Sequence, residues 1–172
     1  MAAAAAAERA MGRKLWGISG QAGFWSGNVE SSHNSQYLFD PYTFSHITHG
    51  FLLYLAAWLA APRLSVRIRI LIAIAIECIW EIVENTDTVI NRYRTATISL
   101  HYYGDSIMNS MGDIIAGAAG MILASLLPAY HSAVFVAALE VVMALWIRDN
   151  LALNILMLIH PIQIVHAWQT GG

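Results

Sequence analysis

The sequence predicts an all-α fold: an integral membrane helical bundle of four transmembrane helices, with a short N-terminal helix and a Pro-broken C-terminal apolar helix. Three observations carry this expectation. Hydrophobic residues make up 58% of the 172 residues and charged residues 12%, against roughly 45 to 50% and about 25% in soluble domains. Four apolar stretches reach the roughly 20 residues that cross a bilayer's hydrocarbon core. Short connections within each pair of stretches make consecutive helices antiparallel neighbours. The length suits one membrane domain, 1–172.

The start, "MAAAAAAERAMGRKL", has no basic residue before its alanines and meets an acid and a base at once. It reads as a short helix rather than a cleaved signal peptide. The first long stretch, Tyr42 to Ala61, is entered through "FDPYT", where Asp40 can cap free amides and Pro41 suits the first helical position. Pro62 closes it. The second runs from Val66 to Asn85, the third from about Asp105 to Leu127 ahead of Pro128, and the fourth from about Tyr130 to Ile147. In the tail, "DNLALNILMLIHPIQIVHAW", Pro161 deletes a helical hydrogen bond, so this segment enters the membrane partway or packs along the bundle.

Two polar connectors remain. Gly12 to Asp40 contains Trp16, Phe24, Trp25 and Tyr37, and Thr86 to Gly104 contains Tyr93, Tyr102 and Tyr103. Such aromatics suit the headgroup layer. One helix pair separates the connectors, so both belong on one side of the membrane. Arg63, Arg67 and Arg69 point to a cytoplasmic location for the opposite side, while Arg13, Lys14, Arg92 and Arg94 oppose it. The net charge of -2 supplies no basic surface for nucleic acid. The expected partners are membrane lipid and other membrane protein subunits. Cys78 is the single cysteine, which excludes an intramolecular disulfide.

The polar residues of the apolar stretches gather at one depth. His46 and His49 lie about 60° apart near the start of the first helix. Glu77, Glu81 and Glu84 in "IECIWEIVEN" share an arc of about 60° on the last two turns of the second, which returns to the same level. The third opens with "GDSIMNSMGDIIAG", where Asp105, Asn109 and Asp113 span about 80°. An ionisable side chain at the centre of a bilayer helix costs roughly 2.5 to 3.5 kcal/mol on insertion scales unless it is paired, hydrated or bound to metal. Three adjacent carboxylates cannot pair with each other. Histidines on a facing helix supply nitrogen donors of the kind that bind zinc, iron or manganese. His46, His49, Glu81 and Glu84 are therefore the candidate ligands of a divalent metal ion, and Glu77, Asp105 and Asp113 the candidates for general base or supporting groups. Glu140, Asp149, Asn150 and Asn154 fall close enough to form an outer shell.

Plainer readings stand beside this one. A His-x-x-His pair is often just a hydrogen-bonded helix start, and Glu84 and Asp105 sit where solvent can reach helix ends. Arg92 and Arg94 offer the strongest alternative, because they could neutralise the acids in place of a metal. Gly112, Ala116 and Gly120 read as a stripe for close helix approach.

The segments "GNVESSHNSQYLFDPYTFSHITHGFLLY", "IECIWEIVEN", "RYRTATISLHYYGDSIMNSMGDI" and "IRDNLALNILMLIHPI" resemble a family of multi-pass membrane proteins, mainly alphaproteobacterial, known as a domain of unknown function. The resemblance covers nearly the whole chain after Met11 and implies location in the bacterial inner membrane, with no activity attached. The chain departs from it in a short N-terminal helix and in Gly17, Ile18, Ser19 and Gly20, where members carry Cys-x-Cys-Gly. A His near one helix start, a Glu near the next helix end and an Asp-rich third start are also distantly similar to VanZ-like membrane proteins. The expected function is metal-assisted hydrolysis or transfer on a lipid or lipid-linked headgroup. An accessory or assembly subunit of a larger membrane complex is the alternative, and an ion carrier is third, since few short helices leave little room for alternating access.

Overall fold

A computed structural model describes residues 1–17 and 20–171. Ile18 and Ser19, half of the segment read against Cys-x-Cys-Gly, lie outside the described residues. Those described form helices α1 (Ala2–Ala10), α2 (Thr43–Ala60), α3 (Val66–Glu84), α4 (Asp87–Ala96), α5 (Ile107–Leu126), α6 (Ala129–Ile147), α7 (Leu151–Ile159) and α8 (Gln163–Thr170). Among them there is no strand, only an isolated bridge between Trp25 and Phe39.

The helix starts follow from capping. Asp40 Oδ1 accepts from the Tyr42 amide at 2.8 Å, and Thr43 Oγ1 accepts from the Asp40 amide at 3.1 Å, a reciprocal box that opens α2 just beyond Pro41. Ser65 caps α3 by accepting from the Ile68 amide. Ser106 caps α5 through the Asn109 amide at 3.1 Å, so this helix begins two residues later than the expected Asp105. Asp105 stays outside the helix because its own amide donates to Asn85 Oδ1 at 2.7 Å. α6 ends as Arg148 turns into the left-handed region at φ 55.

α2, α3 and α5 pack on one another as the centre of the fold. Small residues allow the approach: a Cβ on Gly50 would fall on the Gly117 carbonyl oxygen, and one on Gly120 on the Ile47 carbonyl oxygen. The expected stripe is therefore split, since Gly112 faces the Leu38 carbonyl of the first connector rather than a helix. α1 lies against α3 and α5 and buries Glu8 completely. That burial lifts the Glu8 carboxyl to about 7.

The second connector is more ordered than its composition implied, because Thr86 and Asp87 start the amphipathic α4. Arg92 on this helix donates from Nε to the Leu158 carbonyl at 2.8 Å and from a terminal nitrogen to that of Ile159 at 3.4 Å, fastening the end of α7. Pro161 separates α7 from α8, as expected of a broken tail. The connectors also bind each other, with Gln36 Nε2 donating to the Gly104 carbonyl at 2.9 Å and Ser106 Oγ to that of Gln36 at 2.9 Å.

Two of the helices, α5 and α6, are long and apolar enough to cross a membrane. α2 and α3 fall short on composition. The first holds His46 and His49, and the second holds Arg67, Arg69, Glu77, Glu81 and Glu84.

Candidate metal centre

The two ends that the α2–α3 hairpin brings together carry the histidines and the glutamates, and their distances are short. His46 Nδ1 lies 2.9 Å from Glu77 Oε1 and 3.4 Å from Glu81 Oε1. His49 Nδ1 lies 2.8 Å from Glu77 Oε2. α5 closes the third side with Asp113, whose Oδ2 stands 3.9 Å from His46 Nε2 while Oδ1 accepts from the Thr43 hydroxyl at 3.3 Å. Two triads have ligand atoms within 4.8 Å of one another: His46, His49 and Glu77, and His46, Glu81 and Glu84.

Burial makes this arrangement demanding. Glu77 and Glu81 are both 0% exposed. Neither oxygen of Glu81 has a hydrogen-bond partner, and Glu77 Oε2, despite its short distance to His49, lacks hydrogen-bond geometry. A buried carboxylate without donors forfeits its hydration, which a cation restores. Oxygen and imidazole nitrogen together suit zinc, iron or manganese.

Arginine does not supply that compensation. Arg92 is committed to the end of α7, and the Arg94 guanidinium stacks 4.8 Å above the Tyr103 ring. Among the described residues, the only basic side chains paired with Glu77, Glu81 or Asp113 are the two histidines.

The expected site residues do not all stand at the same rank. Glu77, expected in base or supporting work, sits between the histidines. Asp105, assigned the same work, is held at a remove, with Oδ2 accepting from Asn85 Nδ2 and the Tyr102 hydroxyl, each at 2.9 Å. Glu84 reaches the triad with His46 and lines the cavity. The residues expected as an outer shell at the α6–α7 turn hydrogen-bond to one another and to Tyr42, not to the histidines of α2 or the glutamates of α3. Asp149 accepts from the Tyr42 hydroxyl at 3.2 Å and from Asn154 Nδ2 at 3.0 Å, and Glu140 Oε2 accepts from the Ala152 amide at 2.9 Å.

Three contributors escaped the sequence reading. Asn85 ties the end of α3 to Asp105 and Ser110. Asn109, noticed only as part of an arc, donates to the Tyr37 carbonyl at 2.8 Å and so pins the first connector over the site. Leu151, Ile155, Leu158 and Ile159 of α7 form an apolar wall. Asn85 carried a usable signal, a short amide directly after the last acid of a helix. The α7 wall carried none, because its placement depends on Arg92.

The walls enclose a cavity of about 360 Å³. His46, His49, Glu84, Asp105 and Asp113 line it together with the aromatic Tyr42, Trp80, Tyr93 and Tyr102 and the apolar residues of α7. The lining thus combines ionisable and apolar side chains in one space.

Comparison with known proteins agrees with the alphaproteobacterial resemblance and shows no likeness to VanZ-like proteins. The chain is 48% identical over 161 residues to a UPF0314 protein of Paracoccus denitrificans, covering 94% of this chain and 83% of that one. It is 51% identical over 162 residues to a UPF0314 protein of Sinorhizobium fredii, covering 94% and 82%. A UPF0314 protein of Novosphingobium aromaticivorans is 46% identical over 168 residues, covering 94% and 84%. No solved structure matches. The family profile described as "Protein of unknown function (DUF2585)" matches residues 9–171, and the chain belongs to that family.

Proposed function

We propose that the protein is a four-span enzyme of the bacterial inner membrane, holding a divalent metal among His46, His49, Glu81 and Glu84 and acting on a lipid or lipid-linked headgroup. The observation that carries this reading is Glu81: a wholly buried carboxylate with both oxygens unpartnered, 3.4 Å from an imidazole nitrogen. The metal would polarise a headgroup oxygen and lower the pKa of water. The protein's own work is to hold the ligands, to place Asp113 or Asp105 as proton acceptor at the cavity wall, and to seat an acyl chain against α7. Glu77, enclosed between the histidines, is a ligand in this scheme rather than a base. The spans α2 and α3 are added to α5 and α6 because their outer faces are apolar and exposed, including Leu55, Trp58 and Leu59 on one and Leu71, Ile76 and Ile79 on the other. Protein purified in mild detergent, assayed for bound divalent metal and for headgroup release from phospholipid vesicles, tests the reading. Metal that is absent, or activity that survives Glu81→Gln, would remove it.

A second reading has its own observation. Only 11% of the apolar core of α6 is buried, against 56% of α5. Val141, Val142, Leu145 and Trp146 stand exposed on α6. In an accessory or assembly subunit this face would dock another membrane helix, and the protein would copurify with a larger complex.

A further inference from the structure

We infer that Glu77 is a bridging carboxylate between two divalent cations, one seated against His49 and the other against His46 with Glu81 and Glu84. This rests on the metal-centre reading above and extends it from one ion to two.

Glu77 offers one oxygen to each ring, Oε2 at 2.8 Å from His49 Nδ1 and Oε1 at 2.9 Å from His46 Nδ1. Ligand atoms about 2.1 Å from a common ion stand about 3.0 to 3.4 Å apart in octahedral and tetrahedral geometry. Both pairs fall just below that range, so the ligands need part only slightly to admit an ion, and the 3.4 Å from His46 Nδ1 to Glu81 Oε1 lies at its upper edge. A single ion shared by both histidines fits less well. Two imidazoles in adjacent positions on one ion have ring centroids about 5 Å apart, whereas those of His46 and His49 are 6.4 Å apart. A carboxylate spanning two ions, by contrast, sets them about 3.5 to 4 Å apart, the separation of two-metal hydrolytic centres.

Charge leads to the same number. Glu77, Glu81, Glu84, Asp105 and Asp113 bring five carboxylates to one cluster. Hydroxyl and amide donors serve Asp105 and Asp113. Glu77 Oε2 and both oxygens of Glu81 have no hydrogen-bonding partner. Glu77 Oε2 turns to the His49 ring, while Glu81 stands with Glu77 Oε1 at His46 Nδ1, so the unpartnered atoms fall against different rings and one ion at each ring serves them all.

The test uses the whole protein in mild detergent, stripped with a chelator and titrated with Mn²⁺. Two tightly held equivalents per chain are expected, with an exchange-coupled electron paramagnetic resonance spectrum at full loading. His49→Ala should hold one equivalent and give an uncoupled six-line spectrum. One equivalent in the wild type overturns the bridge and leaves the single-metal reading standing. Two equivalents without exchange coupling also overturn the bridge. No tight binding overturns both readings. The wild-type spectrum decides the matter even where the His49 variant fails to fold.

Discussion

Gly117 on α5 makes the space that Glu77 on α3 occupies: a Cβ at Gly117 would lie 3.0 Å from Glu77 Oε1 and 3.1 Å from its carboxyl carbon. The same glycine presents its carbonyl to Gly50, so the contact that joins α2 to α5 also sets the glutamate's position. A helix-packing residue and a candidate ligand are thus linked directly.

Gly117→Ala should therefore weaken metal binding more than it weakens the fold. The added methyl presses on a side chain, which can move, but the displaced carboxylate no longer reaches both histidines. An affinity loss of about 10- to 100-fold is expected, the usual result of disturbing what orients a ligand. Competition titration against a fluorescent chelator measures it. Unchanged affinity would separate Gly117 from the site.

Glu81→Gln should have opposite effects on metal-free and metal-loaded protein. Without metal, the variant removes a buried carboxyl whose oxygens have no donors, and should gain about 1 to 3 kcal/mol. With metal, it loses a ligand, and the stabilisation by added metal should shrink or vanish. Thermal unfolding in detergent, with and without chelator, reads both. A variant that melts like the wild type in both conditions would show Glu81 to be paired with something other than a cation.

Much of the site was legible because two periodicities act together. The 3.6-residue repeat sets His46 with His49 and Glu77 with Glu81 on single faces, and short hairpins set those faces at one depth. What stayed hidden depends on contacts between segments distant in sequence. Arg92 looked like a counter-ion for the acids until its carbonyl partners on α7 were seen. The expectation of Glu81 as ligand and Glu77 as base or supporting group had no distance behind it, since spacing alone cannot say which acid falls between two rings. The position of Asp105 is fixed by Asn85, twenty residues away. α4 was missed because its polar composition outweighed its start signal, Thr86 followed by Asp87.

Gly120→Leu should damage the bundle itself. The first atom of any side chain there would fall on the Ile47 carbonyl oxygen, and backbone cannot step aside as a flexible side chain can. A loss of about 3 kcal/mol or more is expected. Unfolding by a graded mixture of denaturing and mild detergent measures it, and a wild-type midpoint would mean that α2 and α5 separate there at little cost.

Exposed positions in the two connectors should label from the same side of the membrane. Glu30→Cys and His101→Cys, each in a Cys78→Ala background, place single thiols on surfaces that the Gln36 and Ser106 hydrogen bonds hold together. A membrane-impermeant maleimide applied to sealed vesicles should reach both or neither. Labelling of one alone would break the one-level site, whichever side is cytoplasmic.

Asp149 lies in the turn between α6 and α7, 1% exposed, where it accepts from the Asn150 amide, Gln169 Nε2, the Tyr42 hydroxyl and Asn154 Nδ2. Burial outweighs those donors and lifts its carboxyl from the ordinary 3.8 to about 6. The folded protein then holds this proton more tightly than the unfolded chain, so between about pH 4 and 6 it binds more protons, and stability falls as pH rises through that window. Below the window the contribution is fully present, and above it the loss levels off at about 3 kcal/mol. Asp149→Asn has no charge to desolvate, so its pH profile should lack this component. Relative to wild type, the variant should gain stability from pH 4 to 7, whatever constant penalty the amide incurs by facing donors in place of a carboxylate. Unfolding midpoints of both proteins across that range test the claim, and parallel profiles would mean that the buried carboxyl titrates as it does in water.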